Sequence, residues 1–165
     1  MAVAPESEPV TAYIGLGANL GDAAKAVRSA IEAIGSLPHV VVTARSSLYR
    51  SAPVDATGPD YINAVIEVET SFAAPRLLAE LQAIEQAAGR KRPYRNAPRT
   101  LDLDLLLYGT GRIDSPRLTL PHPRMEQRAF VLLPLAEIAP HRVNAQLLAA
   151  MASQIIARME PAADH

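Results

Sequence analysis

The sequence contains no cysteine and no tryptophan, and aromatic side chains make up only 4% of its 165 residues. The missing thiols exclude disulfides, thiolate zinc sites, iron–sulfur clusters and cysteine nucleophiles together. So few aromatics argue against a sheet surface that stacks the bases of single-stranded RNA. No apolar run approaches the roughly 20 residues that a membrane-spanning helix needs. Residues 1–9 carry Glu6 and Glu8 without a basic start or an apolar block, so they do not resemble a secretory signal. They read as a mobile leader, and residues 10–160 as one domain with a cytoplasmic location expected.

What the chain does have is an uneven distribution of charge. Its net charge is −1, yet residues 90–128 alone carry nine Lys and Arg against Asp102, Asp104, Asp114 and Glu126. That segment stands at +5 on a body of −6. A local basic field of this kind suits a small polyanion such as a nucleotide better than long nucleic acid, which usually selects a basic domain overall. A solvated, arginine-rich loop is the plainer alternative.

Hydrophobic periodicity orders the chain. Residues 10–17 read as a strand ending in glycines, and Asp22 opens a helix with Val27, Ala30, Ile31 and Ile34 at helical spacing. Val40–Tyr49 is β-branched and predicts a second strand, and 51–59 is a loop punctuated by Pro53, Gly58 and Pro59. Tyr61–Thr70 alternates, with Ile62, Ala64, Ile66 and Val68 on one face. Pro75 starts a second helix that Gly89 closes, and 90–98 is expected to be a long mobile loop. Thr100–Tyr108 is a strand, and the prolines of 115–124 prevent one regular element throughout. A short helix near 131–138 and an amphipathic helix over 144–159 complete the reading. The order β-α-β-β-α-β defines an α+β, ferredoxin-like fold, an antiparallel sheet flanked by helices.

Three places offer chemistry. Gly15-Leu16-Gly17-Ala18-Asn19-Leu20-Gly21 misses the dinucleotide spacing by one residue and lacks a Walker lysine, so a tight strand-to-helix turn accounts for it. Asp102 and Asp104, two apart on a strand, project from one face while Leu101, Leu103 and Leu105 enter the core. Paired carboxylates repel unless a cation joins them, and hard oxygen ligands suit magnesium shared with substrate phosphates. A wet edge strand would give the same pattern. Arg90, Arg92 and Arg99 before this strand, with His122 and Arg128 after it, would supply the cations that phosphoryl transfer uses, although His122 between Pro121 and Pro123 also reads as a structural turn residue. Tyr61 and Asn63 on the polar face of their strand, with Phe130, could hold a heterocycle by stacking and by an amide edge; ordinary sheet packing suits them as well.

The run Arg95-Asn96-Ala97-Pro98-Arg99-Thr100-Leu101-Asp102-Leu103-Asp104-Leu105-Leu106 closely resembles the signature of the 6-hydroxymethyl-7,8-dihydropterin pyrophosphokinases of folate biosynthesis. Ile14–Gly21, Pro59–Ala64, Leu120–His122 and Arg128–Phe130 extend the resemblance in the same order over about residues 11–140. It implies transfer of pyrophosphate from ATP to the pterin hydroxymethyl group, releasing AMP. It further implies two magnesium ions on Asp102 and Asp104, with Arg90 and Arg92 as catalytic cations. ATP would meet Gln82, Arg90, Arg92, Arg99, Thr119, His122 and Arg128. The pterin would meet Ser51, Ala52, Val54, Tyr61, Asn63 and Phe130. A monomer without nucleic-acid or membrane partners is expected. Asn96 stands where many relatives carry tryptophan, Ser51-Ala52-Pro53 where some carry a proline pair, and Pro123 where an aromatic often follows the histidine. A magnesium-dependent nucleotidyl- or other phosphotransferase, and an RNA-binding module, share the element order and are the rival readings.

Overall fold

The computed structural model describes residues 8–19, 22–51, 60–89, 101–116, 118–123, 125, 129–150 and 156–159. The expected leader and the basic loop after Gly89 lie almost wholly outside them. Strand β1 (Val10–Ala18) runs into helix α1 (Ala23–Gly35), whose first turn is capped by the Asp22 carboxylate accepting the Lys25 N–H at 3.1 Å. Strands β2 (Val40–Arg45), β3 (Tyr49–Ser51) and β4 (Tyr61–Thr70) precede helix α2 (Ala74–Gly89). After it come β5 (Asp102–Tyr108), the two-residue strands β6 (Ile113–Asp114) and β7 (Thr119–Leu120), and helix α3 (Ala129–Ile138). A 3-10 turn (Pro140–Arg142), helix α4 (Ala145–Ala150) and strand β8 (Ile156–Arg158) follow.

The sheet runs β5-β1-β4-β3-β8, with β2 beside β3 on the same edge of β4, and every pairing is antiparallel. This is the expected ferredoxin-like arrangement, because β2 and β3 together occupy the place of its second strand. Each sheet face has its own core. Ile14, Leu16, Ile62, Ala64, Ile66 and Val68 meet Val27, Ile31 and Ile34 of α1 and Leu77 and Leu81 of α2. On the other face Tyr13, Val65 and Leu106 are covered by Val131, Leu132 and Leu135 of α3. A register shift between Tyr13 and Ile14 lets Leu106 and Leu107 both enter this second core, whereas Leu103 and Leu105 enter the first.

Two expectations need correction. The single strand expected over 40–49 is split at Ser46. There the Ser46 N–H donates to the Val65 carbonyl at 2.9 Å, and the Ser46 hydroxyl accepts the Val65 N–H at 3.0 Å. A serine side chain thus replaces a backbone carbonyl in the ladder, which ends β2 and restarts the pairing as β3. The helix expected over 144–159 is also shorter. Ile156–Arg158 is a strand on β3, with Tyr49 opposite Arg158 and Ser51 opposite Ile156. Pairing the outer edge of β3 outweighs the helical spacing of that segment. Among its described residues the proline-rich stretch holds the short strand β7, which pairs with β6. No described helix is long and apolar enough to cross a membrane.

At the sheet end away from the carboxylates, the Tyr13 hydroxyl donates to the Glu67 carboxylate at 2.6 Å, and Arg142 lies over the ring at 5.6 Å. Burial first, then that bond and the Glu67 charge, push the phenol from its ordinary 10.0 to about 12, against the opposing pull of Arg142. A raised acid pKa stabilises the fold below pH 10, where both states are protonated, and the contribution is lost as pH rises through 12. Linkage puts it at about 2–3 kcal/mol. Urea unfolding at alkaline pH is expected to show this loss in the parent chain, with a shallower loss in Tyr13→Phe, whose phenol is gone. Parallel alkaline limbs would contradict the assignment.

Candidate active site

Strand register builds the site. Gly17 of β1 stands opposite Asp102 of β5 on one side and Asn63 of β4 on the other, and Tyr49 of β3 stands opposite Asn63. Residues opposed across antiparallel strands share a face, so Asp102, Gly17, Asn63 and Tyr49 form one row on the α3 side of the sheet. Gly15, opposite Asp104 and Val65, continues the next row. The carboxylates and the amide are separated by two strand spacings, roughly 10 Å, with glycine backbone as the floor between them.

The carboxylates are accessible: the side chain of Asp104 is 47% exposed. His122 is brought to them by its backbone, since its N–H donates to the Leu106 carbonyl at 3.0 Å. Its ring Nε2 then lies 3.9 Å from Asp104 Oδ1. Among the described residues no group of three or more His, Cys, Asp or Glu side chains could hold a metal. A pair of carboxylates with room beside it fits magnesium, which keeps waters and takes substrate phosphates as further ligands, better than a metal needing a full protein cage.

Asn63 is buried, at 6% exposure, and its amide is oriented. The Ser51 hydroxyl donates to Oδ1 at 3.1 Å, so Nδ2 is the end that lies over Gly17. A Cβ on Gly17 would stand only 2.8 Å from that nitrogen. The glycine expected to serve a tight turn is therefore inside β1, where its missing side chain makes room for the amide. Tyr61, half-buried, stands on the same face of β4, and Phe130 is half-buried in the first turn of α3. Gln82 is exposed on α2, and Thr119 lies in β7, which touches β5. Arg90, Arg92, Arg99, Arg128, Ala52 and Val54 lie outside the described residues.

The sequence reading missed Glu85. From α2 its carboxylate accepts the Leu103 N–H at 2.6 Å, on the amide between the two aspartates. This bond ties edge strand β5 to the helix where the carboxylates project. Only the position of Glu85, one turn after Gln82, hinted at it; the apolar stripe of α2 passes beside it.

A ferredoxin-like sheet that presents an accessible carboxylate pair and an oriented amide on one face suits a phosphotransferase-type enzyme. The sequence places it more finely. The model of the 7,8-dihydro-6-hydroxymethylpterin-pyrophosphokinase (HPPK) family matches residues 13–140, and the chain belongs to that family. It is 44% identical over 148 residues to the 2-amino-4-hydroxy-6-hydroxymethyldihydropteridine pyrophosphokinase of Haemophilus influenzae, covering 88% of this chain and 92% of that one. The Pseudomonas aeruginosa enzyme of the same name is 46% identical over 129 residues, 78% of this chain and 80% of its own. In fold, the chain is similar to the Plasmodium falciparum HPPK-DHPS crystallised with pteroate, with a TM-score of 0.71 at 13% identity over 92% of this chain. It spans 44% of that longer chain.

Proposed function

We infer that the chain transfers the β,γ-pyrophosphoryl group of ATP to the hydroxymethyl oxygen of 6-hydroxymethyl-7,8-dihydropterin, releasing AMP, in folate biosynthesis. The observation that supports this reading is that Asp102 and Asp104, on adjacent rows opposite Gly17 and Gly15, share a sheet face with Asn63, so a carboxylate pair suited to phosphate-bound cations lies on the same face as an amide suited to a heterocycle edge. The pterin hydroxyl oxygen forms a bond to the β-phosphorus and releases its proton to water as the bond from that phosphorus to the AMP oxygen breaks. No covalent protein intermediate is required, and positioning with electrostatics carries the rate.

Asp102 and Asp104 would hold two magnesium ions. Magnesium bound there would supply charge neutralisation on the transferring phosphates. Arg90 and Arg92 act as catalytic cations, and Arg99, His122 and Arg128 clamp the phosphates with bidentate or point-charge contacts. Gln82 and Thr119 lie beside the nucleotide. Asn63, held by Ser51, reads the pterin edge, Tyr61 and Phe130 enclose its ring, and the backbone of Ser51, Ala52 and Val54 holds its other edge. Residues 10–160 act as one catalytic unit, a cytoplasmic monomer whose partners are these two substrates. A phosphotransferase acting on another acceptor would use the carboxylates but would have no use for the Ser51–Asn63 arrangement. An oligonucleotide platform would need the sheet face that α3 covers.

Mass analysis of the pterin after incubation with magnesium and ATP tests the reading. It predicts a product bearing two phosphoryl groups. A product bearing one would make the enzyme an ordinary kinase, and an unmodified pterin would remove the acceptor.

A further inference from the structure

The geometry points to Glu137 as a positioning residue that sets the spacing between the two walls of the pterin pocket; the inference rests on the assignment of Asn63 and Phe130 to the pterin. Glu137 lies in the last turn of α3, where a carboxylate faces the negative end of the helix dipole. An acid there is unfavourable unless donors offset it, and the described residues Ser47 and Tyr49 offer such donors. Glu137 Oε1 accepts the Ser47 N–H at 2.9 Å and the Tyr49 hydroxyl at 2.9 Å, while Oε2 accepts the Ser47 hydroxyl at 2.8 Å. Both oxygens are thus committed to the segment that leads into β3.

That segment supports the pocket. Tyr49 stands opposite Asn63, and Ser51, two residues further along β3, orients the Asn63 amide. Ser46 fixes the start of the segment to β4 at Val65. Glu137 ties the same segment across the sheet face to α3, the helix that carries Phe130 in its first turn. The strand whose Ser51 orients the amide and the helix holding the ring are therefore joined by a carboxylate of that helix, which is far from β3 in sequence. Without it, α3 keeps its apolar packing on β4 at Val65 but loses its polar tie to β3, and the wall bearing Phe130 is less tightly set relative to the Ser51–Asn63 pair. Glu137 touches no reacting atom in this scheme, so the effect belongs to pterin binding and leaves ATP binding alone.

Steady-state kinetics of Glu137→Ala, Glu137→Gln, Tyr49→Phe and Asn63→Ala, each checked for folding by circular dichroism, test this. Glu137→Ala is expected to raise the pterin KM about five- to tenfold, with kcat and the ATP KM within about twofold. Glu137→Gln recovers most of the loss, because its amide oxygen still accepts from Ser47 and Tyr49. Tyr49→Phe, which removes one donor, raises the pterin KM about twofold to threefold and covers the case in which Glu137→Ala does not fold. A lower Tm with unchanged pterin KM in these variants would overturn the inference and leave a purely structural bond. Equal rises in the KM of both substrates would also overturn it. If Asn63→Ala weakens pterin binding while the Glu137 and Tyr49 variants do not, this inference alone fails. If Asn63→Ala has no effect, the pocket assignment fails and takes the inference with it.

Discussion

Asp102→Ala and Asp104→Ala are each expected to lower kcat by at least about 10³-fold while the protein stays folded. The chemical loss is large because the pair would be the protein's anchor for the ions on the transferring phosphates, and charge stabilisation there acts mainly in the transition state. The structural loss is small. Asp104 is half exposed, its side chain fills no core, and removing one of two neighbouring carboxylates relieves repulsion rather than breaking packing. Stability is therefore expected to change by no more than about 0.5 kcal/mol. The double variant should be scarcely worse than either single one, because residues that act as a unit do not lose activity additively. Turnover across a magnesium titration, with Tm alongside, checks both halves. Retained turnover at saturating magnesium in either variant would remove the carboxylates from the metal site.

The second large effect falls on the other substrate. Asn63→Ala is expected to raise the pterin KM by about 10²-fold and to leave the ATP KM nearly unchanged. A site built to hydrogen-bond a polar edge loses far more than one contact when its buried partner is removed. The Ser51 hydroxyl would also lose its acceptor, adding a stability cost of about 1–2 kcal/mol. Gly17→Ala gives an independent check, since every donor and acceptor remains but the new Cβ displaces the Asn63 amide. Alanine suits a strand better than glycine does, so lost pterin binding could not be blamed on backbone propensity. Direct pterin titration of both variants decides the matter. Unaltered affinity in Gly17→Ala would show that the amide does not need its present orientation.

Much of this arrangement was legible in the sequence where one period dominates a segment. The alternation of Tyr61–Thr70 gave β4 with its bounds, and the Asp-Leu-Asp-Leu pattern put both carboxylates opposite the leucines on β5. Helices α1 and α2 followed from their stripes and from Asp22 and Pro75. What could not be read depends on contacts between distant segments. The break at Ser46 needs Val65, the role of Gly17 needs the Asn63 amide, and β8 needs the open edge of β3. Glu85 and Glu137 were passed over because both stand beside apolar stripes, and their importance lies in backbone and hydroxyl donors elsewhere in the chain. Val65 escaped notice for a related reason: it sits among polar residues on β4, and only the presence of α3 makes its position a core one.

The central claim is that one face of the sheet brings ATP and a pterin together for pyrophosphoryl transfer. Nucleotide analysis of the reaction with magnesium, with and without 6-hydroxymethyl-7,8-dihydropterin, tests it most directly. AMP should appear only when the pterin is present and should vanish in Asp104→Ala. Formation of ADP, or AMP release that ignores the pterin or survives Asp104→Ala, would contradict the account.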